Sequence, residues 1–291
     1  QAIEILREES LKFGLSENLK IKRLLVQYLI YKGIETSQER FLEEGFRMID
    51  DLFKKELSLE DKAILHAIKG QALFEGEISL KKAEKEFEKA EKIASLLQIH
   101  NILSAVYVYL SKINIKKGRL YKAKEFLEKA FCEEEKDKGL LIERVRQERI
   151  KEFLGTKALI LVNFGKIESA LKIARDSHDS QLEEEIKEVI EKKRSSLKEA
   201  LKKKFPTVKE EDFLQNMENF LRIYEKLLDI REEIKNKTGE EKRKLHLKLR
   251  DFKLTNAKEI AKRLNLSGMT ESELFGMFNA WEEVVKVYIK S

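Results

Sequence analysis

Proline, cysteine and tryptophan occur once each in this chain, as Pro206, Cys132 and Trp281, and glycine only twelve times in 291 residues. So little turn-forming stock cannot punctuate the many short strands of a β-sandwich or barrel, so β-rich classes are excluded. A lone cysteine rules out an internal disulfide framework and any cysteine-based zinc site. It fits a reducing, cytoplasmic compartment. No apolar run approaches the roughly 18 residues needed to cross a bilayer, so no membrane insertion is expected. The first residue is Gln1, in a helix-like stretch with no initiating methionine, which leaves room for an upstream domain or export signal.

Catalytic chemistry has little to work with. His66, His100, His178 and His246 stand far apart, and none follows a Glu, Asp, His or Cys by three or four residues. The helix spacings that hold a hydrolytic metal are therefore missing. No glycine-rich loop of the G-x-G-x-x-G or G-x-x-x-x-G-K kind is present to cradle phosphates. Cys132 precedes Glu133, Glu134 and Glu135, whose charges disfavour a thiolate, so it reads as structural. We expect no enzymatic activity, no metal and no cofactor.

What the chain does contain is helix. Residues are 42% hydrophobic and 38% charged, with Lys, Glu, Leu and Ile dominant, the composition of amphipathic helices with charged outer faces. High Lys and Glu with scarce Pro and Cys is also a thermophile bias, one that low-GC coding reproduces. The net charge of +6 is unevenly placed: residues 191–264 carry 22 basic and 14 acidic groups, while the rest nearly balances. Basic residues such as Lys202–Lys204 and Lys242–Lys244 could meet phosphates, but they alternate with Glu and Asp. A solvated face is the preferred reading, and nucleic acid is not the expected partner.

Apolar spacing predicts helices over about 2–13, 16–32, 37–56, 59–75, 79–97, 99–117, 120–134, 139–164, 166–176 and 179–204. After Pro206 it predicts 208–237, 240–252, 256–265 and 270–290. Thr36 with Glu39, Thr207 with Glu210, Asn256 with Glu259, and Thr270 with Glu273 have capping-box spacing. Within this run one pattern repeats: a large apolar stripe, a glycine, then small-x-x-x-large-x-x-small. The copies are Gly70, Phe74, Gly76, Ala83, Phe87, Ala90; then Tyr107, Leu110, Gly118, Ala123, Leu127, Ala130; then Leu154, Leu161, Gly165, Ala170, Ala174. Gly33, Gly76, Gly118 and Gly165 are expected at turns, and Gly45, Ala83, Ala123 and Ala170 at one equivalent place where paired helices approach closely. A single hairpin cannot bury its apolar face, so neighbours must stack.

These residues resemble the tetratricopeptide repeat over roughly 19–178, although the period is about 40 residues rather than 34 and the closing proline is absent. Longer hairpins of this sort are similar to the extended repeats of bacterial signalling regulators. The resemblance implies an all-α fold: a right-handed superhelix of stacked helical hairpins over 1–204, then a small C-terminal bundle over 207–291 with Trp281 in its core. It also implies a concave groove lined by the first helix of each hairpin. Aligned on the glycines, that groove takes Arg23, Gln27, Gln71, Phe74, Val108, Lys112 and Leu159, with Ile30, Ala67, Ile115, Gly155 and Val162 beside them. Such a lining suits an amphipathic helix or extended peptide as partner. Val108 and Lys112 stand where the family's lysine-and-asparagine carboxylate clamp would be, so recognition of a C-terminal carboxylate is not expected.

Finally, Leu254–Ser267 resembles the first half of a LuxR-type helix-turn-helix, with Glu259-Ile260-Ala261, Leu264 and Ser267 in its register. That would make the helix from Thr270 a DNA reader, yet its start carries Glu271 and Glu273. Its stripe of Leu274, Phe275, Phe278, Trp281, Val284, Val285 and Tyr288 asks for burial. The expected function is therefore a scaffold or adaptor holding a protein or peptide. The alternative is the sensory half of a transcription or signalling regulator. Partner identity and oligomeric state are left open.

Overall fold

A computed structural model describes residues 3–6, 8, 15–136, 143–177 and 180–291. Among the described residues there is no strand; regular structure is entirely helical. The helices are α1 (Leu15–Thr36), α2 (Glu39–Phe53), α3 (Leu59–Glu75), α4 (Leu80–Leu97), α5 (His100–Lys116), α6 (Leu120–Lys136) and α7 (Glu143–Asn163). They continue as α8 (Ile167–Asp176), α9 (Ser180–Lys204), α10 (Glu210–Gln215), α11 (Met217–Lys235), α12 (Gly239–Arg263) and α13 (Glu271–Lys290). The first predicted helix lies mostly outside the described residues, as do His178 and the start of the predicted 139–164 helix.

By contact the chain divides into two compact units, Gln1–Ile113 with Glu128–Leu141, and Asn114–Leu127 with Ile142–Ser291. This differs from the expected boundary at 204–207, because α9 packs along α13 within the second unit. In the first unit the hairpin grammar has a direct physical basis. Gly70 lets α3 approach α4 so closely that a Cβ there would sit 2.9 Å from the Phe87 ring. Ala83 and Ala90 stand four residues before and three after Phe87 on one face of α4, and all three side chains are fully buried. Gly45 plays the same part in the preceding hairpin, where an added Cβ would lie 3.0 Å from Ile30. A shared core of Val26, Ile30, Ile49, Leu52, Leu65, Ile68 and Ala72 joins the two hairpins. Stacking thus buries apolar faces that neither hairpin could cover alone.

The hairpin turns obey one rule, but the aligned glycines do not all supply it. Each turn has one residue in the left-handed region: Ser37, Glu77, Gly118 and Gly165, with φ between 52° and 75°. Each is followed by an amide that returns to the carbonyl five residues back, as in Gln38→Gly33, Ile78→Leu73, Arg119→Asn114 and Lys166→Leu161. That is a Schellman closure, which satisfies carbonyls orphaned at the helix end. Gly33 instead lies inside α1, and Gly76 caps α3 with φ −75°. The exposed Ser37 and Glu77 tolerate the strain. Gly118 and Gly165 have no such freedom. In the second unit a Cβ on Gly118 would lie 3.3 Å from Tyr224, and one on Gly165 2.8 Å from the Leu214 carbonyl.

The second unit is built around α13. Leu274, Met277, Phe278, Trp281, Val284, Val285 and Tyr288 are buried, as the stripe requires. Trp281 lies edge-on to Phe220 at 5.9 Å and against Phe278 at 5.0 Å. Lys193 of α9 is buried as well, its Nζ donating to the Tyr288 and Ile289 carbonyls at 2.6 and 3.1 Å. Burial pushes its ammonium down to about 8, while the carbonyl end of α13 favours the charged form.

Two expected boundaries change. The 208–237 helix is broken at Asn216, whose side chain donates back to the Asp212 carbonyl, so α10 ends and α11 begins there. Helices 240–252 and 256–265 are one, α12, because Asn256 back-bonds to the Phe252 carbonyl at 2.7 Å instead of capping. Of the four capping boxes only Thr270 with Glu273 forms. Ser58 and Ser79, not singled out by spacing, are the side-chain caps of α3 and α4.

Candidate functional site

The expected groove residues do not share one fate. On α3 and α5, three of them meet. Gln71 Nε2 donates to Glu75 Oε1 at 3.1 Å, and the Tyr109 hydroxyl donates to the same carboxylate. Tyr109 stacks on Phe87 at 5.1 Å, receives Phe74 edge-on at 5.8 Å, and has Lys112 Nζ 5.0 Å from its ring centroid. The result is a half-buried polar strip of Gln71, Glu75 and Lys112 laid over an aromatic floor. Gln71 and Phe74 of α3 and Lys112 of α5, all three among the expected groove residues, are brought together here. Tyr109 and Glu75, which join them, were missed.

The others go elsewhere. Val108 is 3% exposed and belongs to the core, so it cannot touch a partner; Phe74 is buried and serves as floor. Arg23 is committed to an ion pair with Asp61 at the start of α3, 2.6 Å away. Gln27 is exposed on α1, and Ile30 behind it is buried. Leu159 is part of the α7–α9 core with Ala158, Val162, Ala170 and Ile186 in the second unit.

His66 and His100 each meet a glutamate of the following helix. His66 Nδ1 on α3 lies 2.6 Å from Glu86 Oε2 on α4, and Lys89 Nζ lies 2.7 Å from Glu86 Oε1. The same clasp recurs one hairpin later: His100 to Glu133 at 2.6 Å, and Lys136 to Glu133 at 2.7 Å. Burial works against the Glu86 carboxylate, but the hydrogen bonds and charges of His66 and Lys89 outweigh it and hold it down to about 2. Glu133 is lowered too, with Lys136 and His100 overcoming its burial. Residues 20 and 33 apart in sequence form these pairs, and a search for metal spacing had no way to find them. Among the described residues no group of three His, Cys, Asp or Glu side chains could hold a metal ion. Cys132 is exposed, so it is not a core thiol.

The basic segment is distributed rather than focused. Arg194 pairs with Glu210, Lys244 with Glu240, Arg250 with Glu271, and Lys204 with Glu283. The stretch resembling a helix-turn-helix ends α12, and the helix after it buries Leu274, Phe278, Trp281, Val284, Val285 and Tyr288, with Phe275 half-buried and Val287 exposed. No helix among the described residues is long and apolar enough to cross a membrane.

Compared with models of protein families, with curated proteins and with solved structures, the chain matches none.

Proposed function

We propose that this chain is a helical-repeat scaffold, its hairpins stacked in the tetratricopeptide manner, that holds a protein or peptide partner along the strip of Gln71, Glu75 and Lys112. The observation that carries this reading is that polar strip over the Tyr109–Phe87 floor, on first helices of successive hairpins. A rigid aromatic floor costs little entropy to present, and the amide, carboxylate and ammonium above it set the register of a docked segment. Lys112 asks for an acidic group on the partner and Glu75 for a donor. Turnover has no part in the reading. The regulatory alternative gains no support from α13, whose stripe is buried.

The test is capture of a crosslinked partner from native lysate by the full chain and by a Lys112→Glu, Gln71→Ala double variant. Capture should fall at least about tenfold, the effect of losing roughly 1.4 kcal/mol of binding, with the melting temperature nearly unchanged. Undiminished capture by a folded variant would put the partner surface elsewhere.

A further inference from the structure

The face of α1 turned to solvent carries a large apolar stripe that stays exposed among the described residues. Leu24, Tyr28 and Tyr31 are 54%, 40% and 62% exposed. With Gln27, also exposed, they occupy one continuous face of the helix at spacings of three, one and three residues. Scattered exposed leucines need no explanation, but a Leu-Gln-Tyr-Tyr seam two turns long at helical spacing does.

The ends of the seam say what covers it. One helical step before Leu24 on this face stands Lys20, and one step after Tyr31 stands Glu35, both exposed. The face therefore reads Lys, Leu, Gln, Tyr, Tyr, Glu, with opposite charges at its two ends. Laid antiparallel on itself about a two-fold axis between residues 27 and 28, it is self-complementary. Lys20 meets Glu35 of the second copy, Leu24 meets Tyr31, and Gln27 meets Tyr28, each contact occurring twice, as an isologous interface demands.

The same operation would bring Arg23 towards Lys32, a like-charge contact that would oppose pairing. The structure removes both from the seam. Arg23 is drawn to Asp61 at 2.6 Å, and Lys32 Nζ lies over the Phe41 ring at 4.8 Å from its centroid. Among the described side chains, the exposed charges left on the face are Lys20 and Glu35, which complement each other. From Lys20 to Glu35 the seam runs about 22 Å at 1.5 Å rise per residue, long enough for a two-helix contact with ion pairs at both ends.

We infer that α1 is a homodimerisation helix, and that the chain pairs with a second copy of itself antiparallel through Lys20, Leu24, Gln27, Tyr28, Tyr31 and Glu35. The experiment is sedimentation velocity on the full chain from low micromolar to several hundred micromolar, with charge exchange at the seam ends. Wild type should pass from monomer to dimer over that range. Lys20→Glu sets carboxylate against carboxylate at both ends of the seam, and Glu35→Lys sets ammonium against ammonium. Each should weaken dimerisation at least about tenfold, more so at low salt, while K20E/E35K together should restore it. Circular dichroism melts check that all three variants fold, since both positions are on the surface. A wild type that stays monomeric throughout overturns the inference, whether another segment or a different protein then covers the stripe. So does a dimer that the single exchanges leave intact, or one that the double exchange fails to rescue.

Discussion

At Trp281 two effects of one residue oppose each other. The ring is fully buried between Phe220 and Phe278, so emptying its site by Trp281→Ala should cost about 3–5 kcal/mol. Its indole Nε1, however, is buried with no hydrogen-bond partner among the described residues, and an orphaned donor of that kind costs about 1–3 kcal/mol. Trp281→Phe removes the orphan along with some volume. We expect it to cost less than half as much as the alanine change. Urea unfolding followed by far-ultraviolet circular dichroism compares the two, and equal costs would mean that the indole N–H is satisfied. The sequence pointed to this core position through the stripe on α13, but not to the unpartnered nitrogen, because spacing reports which face is buried and not what each buried atom meets.

At the scale of the element, the test is a pair of helical glycines that look alike in sequence. Gly70 in α3 and Gly276 in α13 both sit inside helices, where glycine is worse than alanine by about 1 kcal/mol. A Cβ on Gly276 meets nothing within 4 Å, so Gly276→Ala should stabilise by about 0.5–1 kcal/mol. At Gly70 the Cβ meets the Phe87 ring at 2.9 Å, and that ring is fully buried and stacked on Tyr109. Gly70→Ala should therefore destabilise by about 1–3 kcal/mol, the usual cost of overpacking. Denaturation midpoints decide, and equal signs for the two changes would undo the close-approach account of α3 and α4. The periodic grammar of Gly70, Ala83, Phe87 and Ala90 was legible because close helix contact demands small residues at fixed intervals. Gly33 was misplaced inside α1, and Gly76 lies at its turn but leaves the left-handed step to Glu77, because a glycine signals permission for a left-handed residue, not its location.

For the molecule as a whole, the two His–Glu–Lys clasps link acid stability to the hairpins. Glu86 is held at about 2 against an ordinary 4.5. Between those values the unfolded chain binds a proton that the folded chain refuses, so folded stability falls as the pH drops through that window. Above 4.5 the contribution is fully present. Glu86→Gln should be less stable than wild type at neutral pH and should lose less on acidification between pH 4.5 and 2. Thermal melts across that range would show the two curves converging, and parallel curves would mean that Glu86 is not held by His66 and Lys89. Glu133 is expected to behave in the same sense.

The sequence by itself determined that the chain is helical, where most helices lie, which small residues let α3 meet α4, and that α13 turns its stripe inward. These properties repeat with the helical period or follow from composition, so local residues carry them. Tertiary structure alone decided which groups answer one another: His66 with Glu86, Lys193 with the carbonyls ending α13, Tyr109 with Glu75. It also turned Val108 inward and left Leu24, Tyr28 and Tyr31 facing solvent, although all four satisfy the same apolar code. The physical reason is that burial depends on what another helix brings to that face, and no pattern within one helix contains its neighbour.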